Sequence, residues 1–444
     1  MLDKDRFHRI LGLALPLIGG MISQNILNLV DTAMVSRLDD SNAALAAVGY
    51  GGFMLFMAQA VILGLSTGVQ ASASRRKGQG RLAETALFLN VALLIVILIA
   101  PLLSALLIGA APRFYSLVNN DPDVLALGIP YLQIRAMGIV FVAMNFAFRG
   151  YWNAVDMTRL YMTTLVSMHA LNILLNYILI FGHFGAPALG VRGAAIASVM
   201  AFGFGTTLYF VFGLRYARNN GFLRGLPPGS DIGAMIRIAL PAGIQQMFFA
   251  AGFLVLFWII GQVGTAEVAA ASVLINVMLI ALLPGMGLGL SAATLVGQAL
   301  GRGMVDDAAQ WGWDVVKVAM VGMGLLGLPM VLFPEQVIAS IYRLEPETLA
   351  LLLWPVRLVG MSTIFEAVAM VLQNSLLGAG YARRVMVVAI ANQWLLFLPL
   401  AYLIGPVLGY GLTAIWLLNV FYRALQAAVF TGFWLRRNWA GVHI

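Results

Sequence analysis

The segment LALPLIGGMISQNILNLVDTAMVSRL occupies residues 13–38, and its length and polarity decide the fold. An α-helix needs about 20 largely apolar residues to cross the hydrocarbon core of a bilayer. This segment is longer than that, and inside it Asp31 stands without an adjacent cation. It therefore predicts a membrane-spanning helix that carries one carboxylate at membrane depth.

The composition of the whole chain agrees with this prediction. Of its 444 residues, 61% are hydrophobic and only 10% are charged, whereas a soluble domain carries about 25% charged residues. Most of the surface must face lipid, so the chain is predicted to be an all-α integral membrane protein. Cysteine is absent, which excludes disulfides and Cys-based metal sites. The net charge of +8 is expected to reflect cytoplasmic loops and not a nucleic-acid partner.

Clusters of charged, Pro and Gly residues divide the chain into twelve apolar segments, each long enough to span a bilayer. The segments are residues 7–36, 42–72, 83–111, 124–150, 159–182, 187–214, 232–261, 266–297, 308–333, 349–377, 384–405 and 409–435. If the N-terminus is cytoplasmic, the cation-rich connections, such as RRK at 75–77, all fall inside. The positive-inside rule then predicts that both termini are cytoplasmic.

The chain also repeats itself. LALP at 13–16 matches IALP at 238–241, and GLS at 64–66 matches GLS at 289–291, both at an offset of 225 residues. The repeat predicts two six-helix bundles: an N-lobe of residues 1–214, a cytoplasmic linker of 215–231 and a C-lobe of 232–444. Because each half has an even number of spans, a pseudo-twofold axis along the membrane normal relates them. A cavity between two such lobes is typical of an alternating-access transporter.

Two of the 18 acidic residues lie well inside predicted spans, Asp31 in the first and Glu366 in the tenth. An ionisable group at membrane depth costs about 2.5–3.5 kcal/mol on insertion scales, so it is a functional candidate by default. The alternative is a carboxylate that joins helices through hydrogen bonds.

Polar side chains form two stripes in the N-terminal half, one on the first span and one on the fifth. The stripes consist of Gln24, Asn28 and Asp31, and of His169, Asn172 and Asn176. Each set has the spacing of one helix face. If the stripes face each other, they form an amide-lined chamber in which Asp31 can load and release a proton. The alternative for the amides is hydrogen bonding between helices, and we expect His169 to be structural.

Pro16 lies inside the first span, where it removes a backbone hydrogen bond. It predicts either a fixed bend or a hinge that couples protonation to bending. Enzyme signatures such as HExxH, GxSxG and the P-loop are absent. The chain is therefore expected to be a transporter without a cofactor or metal that draws on an ion gradient, and not an enzyme.

Several motifs in this order resemble the MATE (multidrug and toxic compound extrusion) family, and most closely its bacterial DinF-like branch. They are LALP…VDTAMVSRL, NILLNYILIFG followed by GVRGAAIAS, and SAATLVGQALGRG. The resemblance covers essentially the whole chain. It implies that Asp31 is the proton- or sodium-responsive residue and that Pro16 is the helix-bending proline. The family pattern N-x-x-x-D of the fifth helix reads Asn172 and Asn176 here, so the second acid is absent, and a family hydroxyl falls at Ser198.

A sodium-coupled branch of the same family carries one acid on the seventh helix and one on the tenth. This chain has Gln245 and Gln246 on the seventh helix, and Glu366 on the tenth. Gln373 lies seven residues after Glu366 on the same stripe, and Arg423 on the last helix is a candidate to neutralise the acid.

The resemblance implies a monomeric, proton-coupled exporter of drugs and organic cations in the bacterial inner membrane. Three alternatives stay open: a sodium-coupled drug antiporter, a lipid-linked saccharide flippase and a membrane-embedded enzyme. A flippase needs several cavity cations to hold phosphate, and the mid-membrane cations of this chain are few, with Arg423 as the first candidate and Arg149 as the second. An enzyme needs a catalytic constellation that the sequence lacks.

Overall fold

A computed structural model describes residues 3–341 and 346–442 of the protein. Within these residues the chain forms helices and connections and contains no β-strand. The α-helices, numbered in chain order, are α1 Lys4–Val35, α2 Ser41–Gly78, α3 Leu87–Val118, α4 Pro122–Met137, α5 Ile139–Ala154, α6 Thr158–Phe181, α7 Gly190–Phe212, α8 Gly229–Gly261, α9 Thr265–Gly301, α10 Val305–Leu332, α11 Pro334–Ile341, α12 Pro346–Gly378, α13 Ala382–Ile390, α14 Leu398–Tyr402 and α15 Gly411–Arg436.

The predicted all-α membrane fold is confirmed. Among the described residues, eleven helical segments are long and apolar enough to cross a membrane, and the bent pair α4 and α5 passes the same test when taken together, which gives up to twelve spans. The short helix α11 lies between the predicted ninth and tenth spans and was not predicted.

The fourth span is broken, although the sequence predicted one continuous helix over 124–150. Helices α4 and α5 meet at Gly138 with a bend of 46°. A Cβ atom at this glycine would lie 2.9 Å from Cγ2 of Val199 on α7. Glycine is a poor helix former, and its missing side chain lets α7 approach the backbone here. The break follows from this combination.

The eleventh span, predicted over 384–405, is also irregular. It runs from α13 through π-helical turns at Ala391–Phe397 and Leu403–Val407, with α14 between them. Pro399 and Pro406 lie within this stretch and cannot donate the backbone hydrogen bonds of a regular helix. The wider turns accommodate the missing donors.

The chain divides into two compact units. One comprises Gly19–Arg76 and Arg81–Ala239; the other comprises the segment that ends at Ile18, together with Lys77–Gly80 and the chain from Leu240 onward. In the first unit, Tyr115 is fully buried and its hydroxyl donates to the Ala47 carbonyl at 2.6 Å. In the second unit, α12 packs closely on α9, where a Cβ at Gly378 would lie 2.3 Å from the Ala293 carbonyl oxygen. Helix α1 contributes to both units, and the boundary between its two parts lies between Ile18 and Gly19, just after Pro16.

We predict that Gly150→Ala destabilises the first unit. A Cβ atom at Gly150 would lie 2.3 Å from the backbone oxygen of Ser66, and overpacking against a backbone typically costs about 1–3 kcal/mol. The midpoint of thermal unfolding in detergent should fall by several degrees. The matched control is Gly109→Ala on α3, where a Cβ meets nothing within 4 Å. An equal midpoint for wild type and Gly150→Ala would contradict the close approach.

Candidate functional site

Helices α1 and α6 bring the two predicted polar stripes together inside the first compact unit. The Nδ2 atom of Asn176 donates to Oδ1 of Asp31 at 2.6 Å and to Oδ1 of Asn172 at 2.9 Å. Both asparagines are buried, whereas Asp31 is half-buried. An ionised Asp31 can only accept hydrogen bonds, so this arrangement suits its charged form.

The amide of Asn172 fits its surroundings in two orientations. Turned over, its nitrogen lies 2.9 Å from Nδ2 of Asn176 and 3.3 Å from Oδ1 of Asp31, while its oxygen lies 3.3 Å from the Ser198 backbone nitrogen. Because two amide nitrogens both donate, this orientation requires the Asn176 amide to turn as well. The other amide atom of Asn176, Oδ1, is buried and accepts no hydrogen bond from the described residues. The Ser198 hydroxyl donates to the Ala194 carbonyl of its own helix at 3.0 Å. Ser198 thus approaches the Asn172 amide through its backbone nitrogen and not through its hydroxyl.

The remaining members of the stripes form a second group, one to two helical turns before Asp31 on α1. Nε2 of His169 lies 3.1 Å from Oε1 of Gln24, whose amide nitrogen donates to Oδ1 of Asn28 at 3.2 Å. Nδ1 of His169 lies 2.7 Å from the hydroxyl of Ser23. A neutral imidazole with its proton on Nε2 satisfies all of these contacts. This geometry agrees with the predicted structural role of His169.

Sequence reasoning missed two residues of this region, Ser23 and Arg135. Ser23 has no periodic partner in the sequence, and only its neighbour Gln24 marks the stripe. Arg135 lies near the end of α4 and interacts electrostatically with Asp31. Its position inside the apolar segment 124–150 was a signal that could have identified it, because a cation at membrane depth is costly.

Pro16 lies within α1 without ending the helix. Two glycines follow it, and both allow α6 to come close. A Cβ at Gly19 would lie 3.2 Å from Sδ of Met162, and one at Gly20 would lie 3.0 Å from a ring carbon of Tyr161. Pro16 is therefore followed by a short stretch of α1 without side chains, at Gly19 and Gly20, where α6 packs closely, and the polar residues come after it.

The second compact unit contains a buried ion pair, which the sequence predicted. Nε of Arg423 on α15 lies 2.6 Å from Oε1 of Glu366 on α12, and the two side chains are only 9% and 3% exposed. Nη1 of Arg423 also donates to Oε1 of Gln426 at 3.2 Å. A small cavity beside Arg423 is lined by aromatic side chains, among them Phe249 and Trp416.

The other candidates of this unit do not join the pair. Gln245 is buried on α8, while Gln246 and Gln373 are partly exposed. Along the described chain, these three side chains show no hydrogen bond to Glu366 or Arg423. The described residues also contain no cluster of three or more His, Asp or Glu side chains that could hold a metal ion.

Comparison with known proteins identifies a matching family. The sequence profile of the MatE family matches twice, over residues 16–178 and 241–403, and each bound of the second match lies 225 residues after that of the first. This is the offset of the predicted internal repeat, which is thereby confirmed.

Individual relatives extend over nearly the whole chain. The probable multidrug resistance protein NorM of Thermotoga maritima is 27% identical over 96% of this chain and 92% of its own length. The multidrug resistance protein PmpM of Pseudomonas aeruginosa is 27% identical over 90% and 84%.

Solved structures share the fold. An outward-facing multidrug resistance MATE family transporter of the MOP superfamily superposes with a TM-score of 0.88 at 19% identity, over 98% of this chain and 96% of that one. A MOP superfamily transporter from Pyrococcus furiosus gives 0.87 at 20% identity over the same shares.

Proposed function

Because the chain belongs to the MatE family, we propose that it is a secondary-active multidrug exporter of the bacterial cytoplasmic membrane. It exchanges inward-moving protons for outward-moving organic cations and other amphiphilic drugs. The chain is a transporter and not an enzyme, in keeping with relatives that are named multidrug resistance proteins. The observation that carries proton coupling is the single acid of the N-terminal chamber, Asp31, held by Asn176 at 2.6 Å.

The two orientations of the asparagine amides supply a mechanism for coupling. When Asp31 is ionised, the nitrogen of Asn176 donates to Asp31 and to the oxygen of Asn172. Hydrogen bonds to an ionised group are roughly twice as strong as neutral ones. This pattern therefore stabilises the charged acid.

When Asp31 takes up a proton, its hydroxyl needs an acceptor. Rotation of the Asn176 amide supplies Oδ1, the atom that has no described partner in the charged pattern. Asn172 then turns as well, so that its nitrogen donates to Asn176 and its oxygen accepts from the Ser198 backbone at 3.3 Å. Protonation thus changes the pattern of hydrogen bonds that connects α1, α6 and α7.

This change is proposed to act on the bend of α1. Asp31 lies fifteen residues after Pro16, and the contacts of α1 change from one compact unit to the other just after that proline. A helix that lacks one backbone hydrogen bond bends at lower cost there. Protonation of Asp31 is therefore proposed to favour the bent form of α1, which displaces bound drug outward.

A proteoliposome assay tests proton against sodium coupling. The purified protein is reconstituted with a fluorescent organic cation, and either a pH gradient or a sodium gradient is imposed alone. We expect transport with the pH gradient and none with sodium, because only one acid lies in the chamber. Transport that requires sodium at a fixed pH gradient would overturn proton coupling and favour the sodium antiporter.

If the protein were instead a saccharide flippase, its presence would not change drug accumulation in cells. Its cations would have to hold a phosphate, but Arg423 is engaged by Glu366, and Arg149 lies 3.3 Å from the Ser66 hydroxyl and over the Phe146 ring. Dye accumulation in a pump-deficient host separates the two functions. We expect lower accumulation in cells that contain the protein, and equal accumulation would contradict drug export.

A further inference from the structure

A groove opens where the beginning of α10 meets the end of α15, both in the second compact unit. Four side chains of α10 line it with the spacing of one helix face: Asp306, Gln310, Trp313 and Lys317. Arg437 and the edge of Trp434 close the opposite wall. Neither Asp31 nor Glu366 lines the groove, and the proposed transport mechanism does not use it.

The walls of the groove are held by specific packing. A Cβ at Gly312 would lie 2.4 Å from the Trp434 ring, so glycine lets α15 lie close against α10. The indole nitrogen of Trp434 donates to the Ala309 carbonyl at 3.3 Å. Arg437 then ends α15 in a left-handed conformation, with φ at 56°, and its side chain turns back toward α10. The groove is therefore a built feature of the fold.

The two cations of the groove are accessible and only lightly held. The Lys317 side chain is 61% exposed and lies 3.4 Å from Asp314, an acid that the Arg6 guanidinium already pairs at 2.6 Å. Arg437 is 52% exposed and contacts the freely exposed Asp306 at 2.5 Å. Exposed pairs of this kind contribute little. Both cations can therefore take an additional anion without loss of a strong contact.

The position of the groove corresponds to the edge of a membrane. Helix α10 has 28 residues, which is about 42 Å at 1.5 Å per residue, so its first turns extend beyond a hydrocarbon core of about 30 Å. Tryptophans concentrate at such interfaces. After Lys317, toward the C-terminal end of α10, exposed apolar side chains continue at helical spacing. They are Val321, Leu325, Leu328 and Leu332.

We propose that this groove binds an anionic phospholipid. The phosphodiester lies between the Lys317 ammonium and the Arg437 guanidinium, Trp313 lies at the level of the glycerol, and an acyl chain follows the apolar stripe below. Charge complementarity selects the occupant, since basic pockets at the cytoplasmic face of membrane helices bind anionic head groups. The stripe selects a lipid over free phosphate, which has no apolar part.

Native mass spectrometry of the delipidated, full-length protein tests this site. The protein is titrated with phosphatidylglycerol and with phosphatidylcholine of the same chains. We expect wild type to prefer phosphatidylglycerol, and the double variant Lys317→Gln, Arg437→Gln to lose that preference by on the order of 10-fold. The charge-conserving double variant Lys317→Arg, Arg437→Lys should retain it.

The matched control removes two other exposed cations, Arg218 and Arg224, which lie in the predicted linker. The double variant Arg218→Gln, Arg224→Gln should bind phosphatidylglycerol as wild type does. An equal loss in this control would make the effect a general one of charge and overturn the site. Equal binding of both lipids by wild type, or displacement of phosphatidylglycerol by inorganic phosphate, would also overturn it.

Discussion

Asp31→Asn is expected to abolish drug export while the protein still reaches the membrane and folds. Asparagine has nearly the shape of aspartate but neither takes up nor releases a proton, so the chamber loses the one acid that its described residues include. The Asn176 amide can still make a hydrogen bond to it at the same distance, which preserves the contact between α1 and α6. Drug accumulation in cells should rise to the level of cells without the protein.

Two further variants separate coupling from structure. Asp39→Asn makes the same chemical change eight residues later, at an exposed position beyond the end of α1, and should leave export unchanged. Asn176→Leu keeps Asp31 but removes the amide that donates to Asp31 and that, in the proposed coupling, accepts from it after protonation. It should reduce export strongly. Export by Asp31→Asn with normal dependence on the pH gradient would refute the coupling role of Asp31.

The chamber could be predicted from the sequence because its members repeat with the period of one helix face. Asp31, Asn172 and Asn176 do meet, at the distances of direct hydrogen bonds. The sequence did not reveal that the stripes split into two groups, one around Asp31 and one around His169. That division depends on how α1 packs on α6, whose side chains lie close to α1 at Gly19 and Gly20.

The remaining features differ in how far the sequence could predict them. Glu366 and Arg423 could be paired in advance because opposite charges at membrane depth have few other partners. Gln373 was expected on the same stripe as Glu366, but amides tolerate many surroundings and thus carry less positional information. The bend at Gly138 also escaped prediction, since one glycine in an apolar segment is compatible with a straight helix. Its effect comes from the approach of Val199.

Glu366→Met is expected to produce the largest loss of stability among single substitutions in the second compact unit. The Arg423 side chain is 9% exposed, so removal of its partner leaves a cation without compensation in a medium of low polarity. Breaking such a pair typically costs about 3–5 kcal/mol of unfolding free energy. The thermal unfolding midpoint in detergent should fall sharply, whereas Glu335→Gln, at an exposed position on α11, should leave it unchanged.

The double variant Glu366→Met, Arg423→Met decides what the pair does. Replacement of both charges by apolar side chains of similar length removes the desolvation cost together with the attraction, and is often neutral or stabilising. We therefore expect the unfolding midpoint to recover. Export should recover with it, because Arg423 already pairs with the carboxylate that a coupling ion would need and Asp31 is the proposed proton carrier. A double variant that is stable but no longer exports drug would instead place Glu366 in ion coupling.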